Sequence, residues 1–325
     1  MGNISVKVAL SVIALMLSLM ATWSDSSAWG RVISGTLTIF HAGSLGVPFA
    51  QVEEEFEQLY PQVEIQRESS GSLVAIRKVT ELDRKCDIIA SADYSAIPKL
   101  MFPDFADFYI CFARNQMVIA YTSHSKFAQE INQDNWYEIL TRKEAKFGRA
   151  NPDADPCGYR TLMVWQLAEK YYGKAGLYNQ LDQGCDTIAA KSVDLISRLE
   201  VGALDYAFEY LSVAKQHGLK FVTLPPQIDL SRLEYQDFYA QAEVAVAGKK
   251  PGEKITITGE PIVYGLTIPK NSPHPDLAAA LVKFLLDPRG QKIMAENGQL
   301  PIVPAITNDL SKVPAELKGK VIQRQ

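Results

Sequence analysis

The chain has 325 residues, 47% of them hydrophobic, with a formal net charge of −4 and no run of Lys or Arg. That length accommodates two packed lobes with separate cores, and the composition is that of a folded globular protein. No basic face is available for nucleic acid, so no nucleic-acid partner is expected.

The first 30 residues stand apart from the rest. Lys7 precedes a fourteen-residue apolar stretch, Val8 to Ala21, shorter than the roughly 20 residues that cross a bilayer. Ser26-Ser27-Ala28 then offers small residues to a signal peptidase, so residues 1–30 read as a secretory signal, the alternative being an uncleaved N-terminal anchor. No Cys follows the apolar stretch, so a lipid anchor is not indicated. The mature body is therefore expected to be exported, to a periplasm or the outer face of the cytoplasmic membrane. Cys86, Cys111, Cys157 and Cys185 would then lie where disulfides persist, with three pairings possible. None has CxxC spacing, which argues against zinc, and Cys86 in its apolar run reads as a buried inert thiol.

Three β-loop-α units follow. Thr36 to Phe40 is a short β-rich run, HAGSL a small-residue loop, and Val52, Phe56 and Leu59 mark a helix that ends before Pro61. Val63 to Gln66 leads into Ser69-Ser70-Gly71-Ser72 and a helix carrying Leu73, Ile76 and Val79. Asp87 to Ser91 leads into a short helix from about Ile97 to Met101. Such repetition implies a parallel, doubly wound sheet, with ligands held in the loops that leave the carboxyl ends of the strands. Gln116 to Tyr121 reads as a strand leaving this lobe. A second α/β region contains PDADPCGYR, a long helix from Cys157 to Tyr172 and the strand-like LDYAFEY. Pro261 to Pro269 leads back, followed by a helix with Leu277, Leu281, Phe284 and Leu285. The pattern predicts an α/β fold of two lobes joined by two crossing strands, lobe 1 being residues 31–118 plus 268–325 and lobe 2 residues 119–267.

HAGSL and SSGSL share a design, with Gly43 and Ser44 at one helix start and Ser70, Gly71 and Ser72 at another. Unpaired N–H groups at a helix start attract anions, and Ser adds an uncharged donor. Each loop alone is explained as a cap; their position after consecutive parallel strands makes them informative together. Asp155-Pro156-Cys157-Gly158 opens the long helix, Asp before a Pro being a good cap. Neither Asp153 nor Asp155 can accept from a deprotonated oxyanion, so a carboxylate there would favour an electrophilic centre within the anion. On LDYAFEY, strand alternation puts Tyr206, Phe208 and Tyr210 on one face and Glu209 on the other. Tyr210 can donate its phenol to an anion, or simply pack between the lobes. Enzyme chemistry finds little support. His41, His124, His217 and His274 are scattered, and Cys157, whose helix-start position would lower its pKa, has no base.

FHAGSL, ESSGSL, CDIIASADYSAIPKLM, NPDADPCGYR and LDYAFEYLSVAKQHG together resemble the tungstate/molybdate-binding proteins of ABC importers, in their archaeal-type branch. The likeness runs from about residue 36 to 300. It implies a type II periplasmic-binding-protein fold, two doubly wound lobes closing on the ligand, with no cofactor beyond a bound tungstate or molybdate. It also implies a monomer that delivers its cargo to a membrane permease. The resemblance maps ligand contacts onto Gly43 and Ser44, onto Ser70 or Ser72, onto Asp155, Pro156 and Cys157, and onto Tyr210. Branch members carry a Glu 18 residues before the tyrosine, completing with the Asp an expanded coordination of the metal centre; here that position is Ser192. Asp155 alone would then give five-coordination, Glu209 would substitute if the strand is irregular, or Ser192 donates to an anion that stays tetrahedral. The alternatives within binding proteins are another oxyanion such as sulfate, or ferric iron held by Tyr206 and Tyr210.

Overall fold

The computed structural model describes residues 33–250 and 252–324; the segment read as a signal or anchor lies outside them. β1 (Gly35–Ala42) runs through a single 3-10 turn, Gly43–Leu45, into α1 (Gly46–Leu59). β2 (Val63–Ser70) leads to α2 (Ser72–Thr80), and β3 (Ile88–Ser91) to α3 (Ala96–Met101). Strands β1, β2 and β3 are parallel, with β1 in the middle. Their buried residues, Leu37, Ile39, Ile65 and Ile89 among them, pack beneath helices whose inner faces carry Val52, Phe56, Ile76 and Val79. Apolar residues three and four positions apart put these helices on the sheet.

β4 (Ile110–Arg114) belongs to this first sheet and β5 (Met117–Tyr121) to a second, so the chain crosses over within Asn115-Gln116. The second lobe then builds α4 (Trp136–Leu140), β6 (Phe147–Ala150), α5 (Pro156–Tyr172), α6 (Leu177–Gly184), β7 (Thr187–Ala189), α7 (Asp194–Glu200), β8 (Tyr206–Tyr210), α8 (Leu211–Gln216) and β9 (Lys220–Thr223). α9 (Gln236–Tyr239) precedes a two-stranded ribbon of β10 (Glu243–Ala247) and β11 (Lys254–Thr258). The chain returns as β12 (Val263–Thr267), α10 (Pro275–Leu286), α11 (Pro288–Glu296), β13 (Leu300–Thr307) and β14 (Val321–Gln323).

The first sheet has seven strands in the order β14-β13-β4-β12-β3-β1-β2, and the second has five in the order β7-β6-β8-β5-β9. β12 pairs with β3 and β4, so it is a first-sheet strand rather than the end of a lobe spanning 119–267. β5 in turn begins two residues before that span. Both shifts arise because each crossing is short and the flanking strands are hydrogen-bonded at once. In the second sheet β6, β7 and β8 are parallel. Aromatic packing fills the space between that sheet and α5: Trp165 lies 5.5 Å from Phe208 and 6.2 Å from Phe147, ring centre to ring centre.

The candidate anion site between the two sheets

Three parallel strands in each sheet end at one common place. In the first lobe the segments after β1, β2 and β3 bring Gly43-Ser44, Gly71-Ser72 and Ala92-Asp93. In the second, those after β6 and β7 bring Asp155-Cys157 and Ser192, and the end of β8 brings Glu209 and Tyr210. Crevices at the carboxyl ends of parallel strands are where α/β folds hold ligands.

The lobes are shut on one another. Leu73 N donates to Ala154 O across the cleft at 3.1 Å, and Arg77 donates to Asp153 O at 2.6 Å and to Ala247 O at 2.9 Å. A Cβ at Gly71 would overlap the Ala154 carbonyl, and one at Gly43 would sit 3.1 Å from a Val193 methyl. At Gly71 only glycine allows so close an approach of backbones. Ser44, Ser72, Asp155, Cys157, Ser192, Glu209 and Tyr210 are all buried.

Asp155 caps α5 as its sequence requires, with extended backbone, Oδ1 accepting from Cys157 N at 2.9 Å and Pro156 in the first turn, where it has no N–H to lose. Its Oδ2 accepts from Ser192 N at 3.0 Å. Burial pushes the Asp155 pKa up, against those two N–H groups. Glu209, one residue before the end of β8, lies near enough to Asp155 to feel its charge. The strand ends there and turns into α8, and the long side chain folds back so that Oε2 accepts from Tyr210 N at 2.9 Å. Burial raises the Glu209 pKa to about 8, with the Asp155 charge adding to the rise and the Ser192 hydroxyl opposing it. Its Oε1 is sealed from solvent with no hydrogen-bond partner among the described residues. An orphaned buried carboxylate oxygen costs on the order of 1–3 kcal/mol or more, so it marks a place where a partner belongs.

On the first-lobe side, Ser44 Oγ lies 2.8 Å from Tyr264 Oη, which accepts from Asn115 Nδ2 at 3.0 Å. The same amide nitrogen donates to Ser212 Oγ at 2.7 Å, so Asn115, at the first crossing, touches both lobes. With Asn115 donating to it, Tyr264 can give its own hydrogen to Ser44, leaving the serine hydrogen to point elsewhere. Ser72 Oγ accepts from Ala92 N at 3.0 Å and keeps its hydrogen. Ser70 is different: half-buried at the end of β2, it accepts from Lys78 Nζ at 3.3 Å and is not among the groups that meet.

Several expectations change. Cys157 has its pKa raised well above the usual thiol value, because complete burial outweighs the helix start; it packs with Sγ 3.6 Å from Phe208 O. That removes a thiolate nucleophile. All four cysteines are free, Cys86 and Cys111 also being buried thiols whose pKa values are pushed up to about 12. Asp153 faces the β10–β11 ribbon, accepting from Ala247 N at 2.7 Å. Tyr206 donates to Lys126 O, and four residues of strand put it about 13 Å from Tyr210. The two cannot share one iron, and no cluster of three or more His, Cys, Asp or Glu suited to a metal ion occurs among the described residues.

Residues 37–299 match the family model of bacterial extracellular solute-binding proteins. The chain belongs to that family. An uncharacterized solute-binding protein of Petrotoga mobilis is 51% identical over 288 residues, covering 88% of this chain and 90% of the relative. The molybdate/tungstate-binding protein WtpA of Pyrococcus abyssi is 43% identical, covering 88% and 89%. The periplasmic molybdate-binding protein of Azotobacter vinelandii superimposes with a TM-score of 0.61 at 18% identity, covering 81% of this chain and 98% of that one, which shows the shared two-lobed fold. Members of this family are solute carriers rather than enzymes, in keeping with a shut site whose only thiol is inert. Arg160, Tyr264 and Asn115 escaped the sequence reading. Arg160 alone carried a signal, a charge within the apolar half of a helix, where it must be paired.

Proposed function

We propose that this solute-binding protein captures tungstate or molybdate between its sheets and delivers it, as a monomer outside the cytoplasmic membrane, to the permease of an ABC importer. The observation that carries this reading is the burial of two carboxyls, Asp155 and Glu209, near enough for the charge of one to raise the pKa of the other, with Glu209 Oε1 unpaired. Two carboxylates repel an ordinary dianion. They suit an oxyanion whose central atom accepts further ligands, as molybdenum and tungsten do and sulfur does not. Glu209 therefore fills the place that the resemblance assigned to position 192, and the Ser192 N–H orients Asp155. The Ser44, Ser72 and Tyr210 hydroxyls and the N–H groups near Gly43 hold the oxygens by uncharged donors, which are strong toward an ion in a water-free cleft. No cofactor besides the cargo is required. The names of the WtpA relatives support the same choice of anion.

The test is calorimetric titration of residues 31–325 with tungstate, molybdate, sulfate and phosphate. The expected result is tight one-to-one binding of the first two and far weaker binding of the others. Equal affinity for sulfate would sink the carboxylate argument, and no binding of any of the four would sink the anion reading.

A further inference from the structure

Arg160 lies in the second turn of α5, 3% exposed, the one charged side chain on the buried first half of that helix. Its guanidinium faces three partners. Nη1 donates to Ala92 O at 2.7 Å and to Tyr210 Oη at 2.8 Å, and Nη2 stands 3.7 Å from Asp93 Oδ1. Ala92 and Asp93 follow β3 in the first lobe, whereas Arg160 and Tyr210 belong to the second. Asp93 is itself 2% exposed and held in place, Oδ2 accepting from Tyr159 and Oδ1 from Ser95 N at 2.9 Å. An ion pair between the lobes alone would need only Asp93. The contact to Tyr210 is additional, and it has a directional consequence.

Arg can only donate, so Tyr210 Oη accepts in this contact and its own hydrogen points elsewhere. Among the described residues nothing accepts that hydrogen. We propose that Arg160 is a positioning residue for anion capture: it holds the Tyr210 hydroxyl as a donor toward the cargo, and its contacts with Ala92 and Asp93 make that arrangement available only when the lobes are shut. The proposal rests on the reading that Tyr210 donates to the bound anion. Lys in place of Arg keeps the charge but cannot span Ala92, Asp93 and Tyr210 with one planar group.

A double-mutant cycle tests it, with tungstate dissociation constants for the wild type, Arg160→Lys, Tyr210→Phe and the double variant, each checked for a cooperative thermal transition. Arg160→Lys is expected to weaken tungstate at least tenfold in the wild-type background and at least fivefold less than that when Tyr210 is already Phe. Equal factors in the two backgrounds overturn the proposal, since a merely structural arginine acts whether or not the hydroxyl is present. Should Arg160→Lys not fold, Asp93→Asn in the same cycle is expected to show the same coupling to Tyr210, and additivity there overturns the proposal equally. Absence of binding by the wild type overturns the anion reading and this proposal with it; binding with an additive cycle overturns the role of Arg160 alone.

Discussion

Glu209→Gln separates two coordination chemistries by the sign of its effect. The side chain is fully buried, Oε2 is committed to Tyr210 N, and Oε1 is the oxygen without a partner. If tungsten takes Oε1 as a ligand, the amide removes one member of a buried charged contact, a loss of about 2–5 kcal/mol, or roughly 30-fold and upward in dissociation constant. If the anion stays tetrahedral, Glu209 only repels it. At about 4 Å and an effective dielectric near 20, each pair of unit charges contributes about 4 kcal/mol, so Gln should tighten binding wherever Glu209 is ionised. The assay is competitive calorimetry with tungstate and sulfate above pH 8, where the ligand-free carboxyl, raised to about 8 by burial, has largely lost its proton. We expect tungstate to weaken and sulfate to be unchanged or tighter. Tungstate binding as tight as or tighter than the wild type would refute coordination by Glu209.

Tyr264→Phe should weaken tungstate by about 0.5–1.5 kcal/mol, because Ser44 Oγ loses the neighbour that turns its hydrogen outward; an unaltered titration would count against that relay. Tyr206→Phe, far along β8 and bonded to Lys126 O, should leave the tungstate dissociation constant unchanged, and a tenfold loss would reopen the question of a second tyrosine ligand. His41 is fully buried with Nε2 unpartnered, and burial holds its pKa down to about 4. The unfolded chain therefore takes up this proton first, so stability is complete above pH about 6.5 and falls as the pH drops toward 4. His41→Gln should remove up to about 2 kcal/mol of that decline, read from urea midpoints at pH 7.5 and 5; an equally steep decline in the variant would exclude His41 as its source. In ligand-free protein the raised Glu209 pKa has the opposite sign. Its contribution is full below pH about 4.5 and lost as the pH rises through about 8, so Glu209→Gln should flatten the fall in melting temperature between pH 6 and 9.

The first lobe was legible because its strands and helices carry clear periodicities and small-residue loops: β1 to β3 and α1 to α3 lie where the pattern put them, with ends a few residues longer or shorter. The Asp155 cap was legible for the same local reason. In the second lobe the long helix and the strands at Met117–Tyr121 and Tyr206–Tyr210 were legible too, but β6 and β7 were not, since they span only four and three residues and leave little period to read. Alternation along β8 said nothing of where the Glu209 carboxyl ends, because a long side chain one residue before the strand's end can turn back to accept from the Tyr210 N–H. Arg160 and Tyr264 could not be assigned from spacing at all. Their roles depend on which residue of the other lobe they meet, and that is decided only when the two sheets come together.

The glycine contacts that close the cleft also govern time. With Gly71 against Ala154 and Gly43 against Val193, no gap wide enough for a tetrahedral ion is left at those points, and the residues that face the site are buried. An ion held as proposed would leave only when these contacts part. Its residence time would then be no shorter than the reciprocal of the lobes' opening rate, a property of Arg77, Arg160 and the Leu73–Ala154 bond rather than of the anion. A transporter fed by this protein would set its pace by prising these contacts apart.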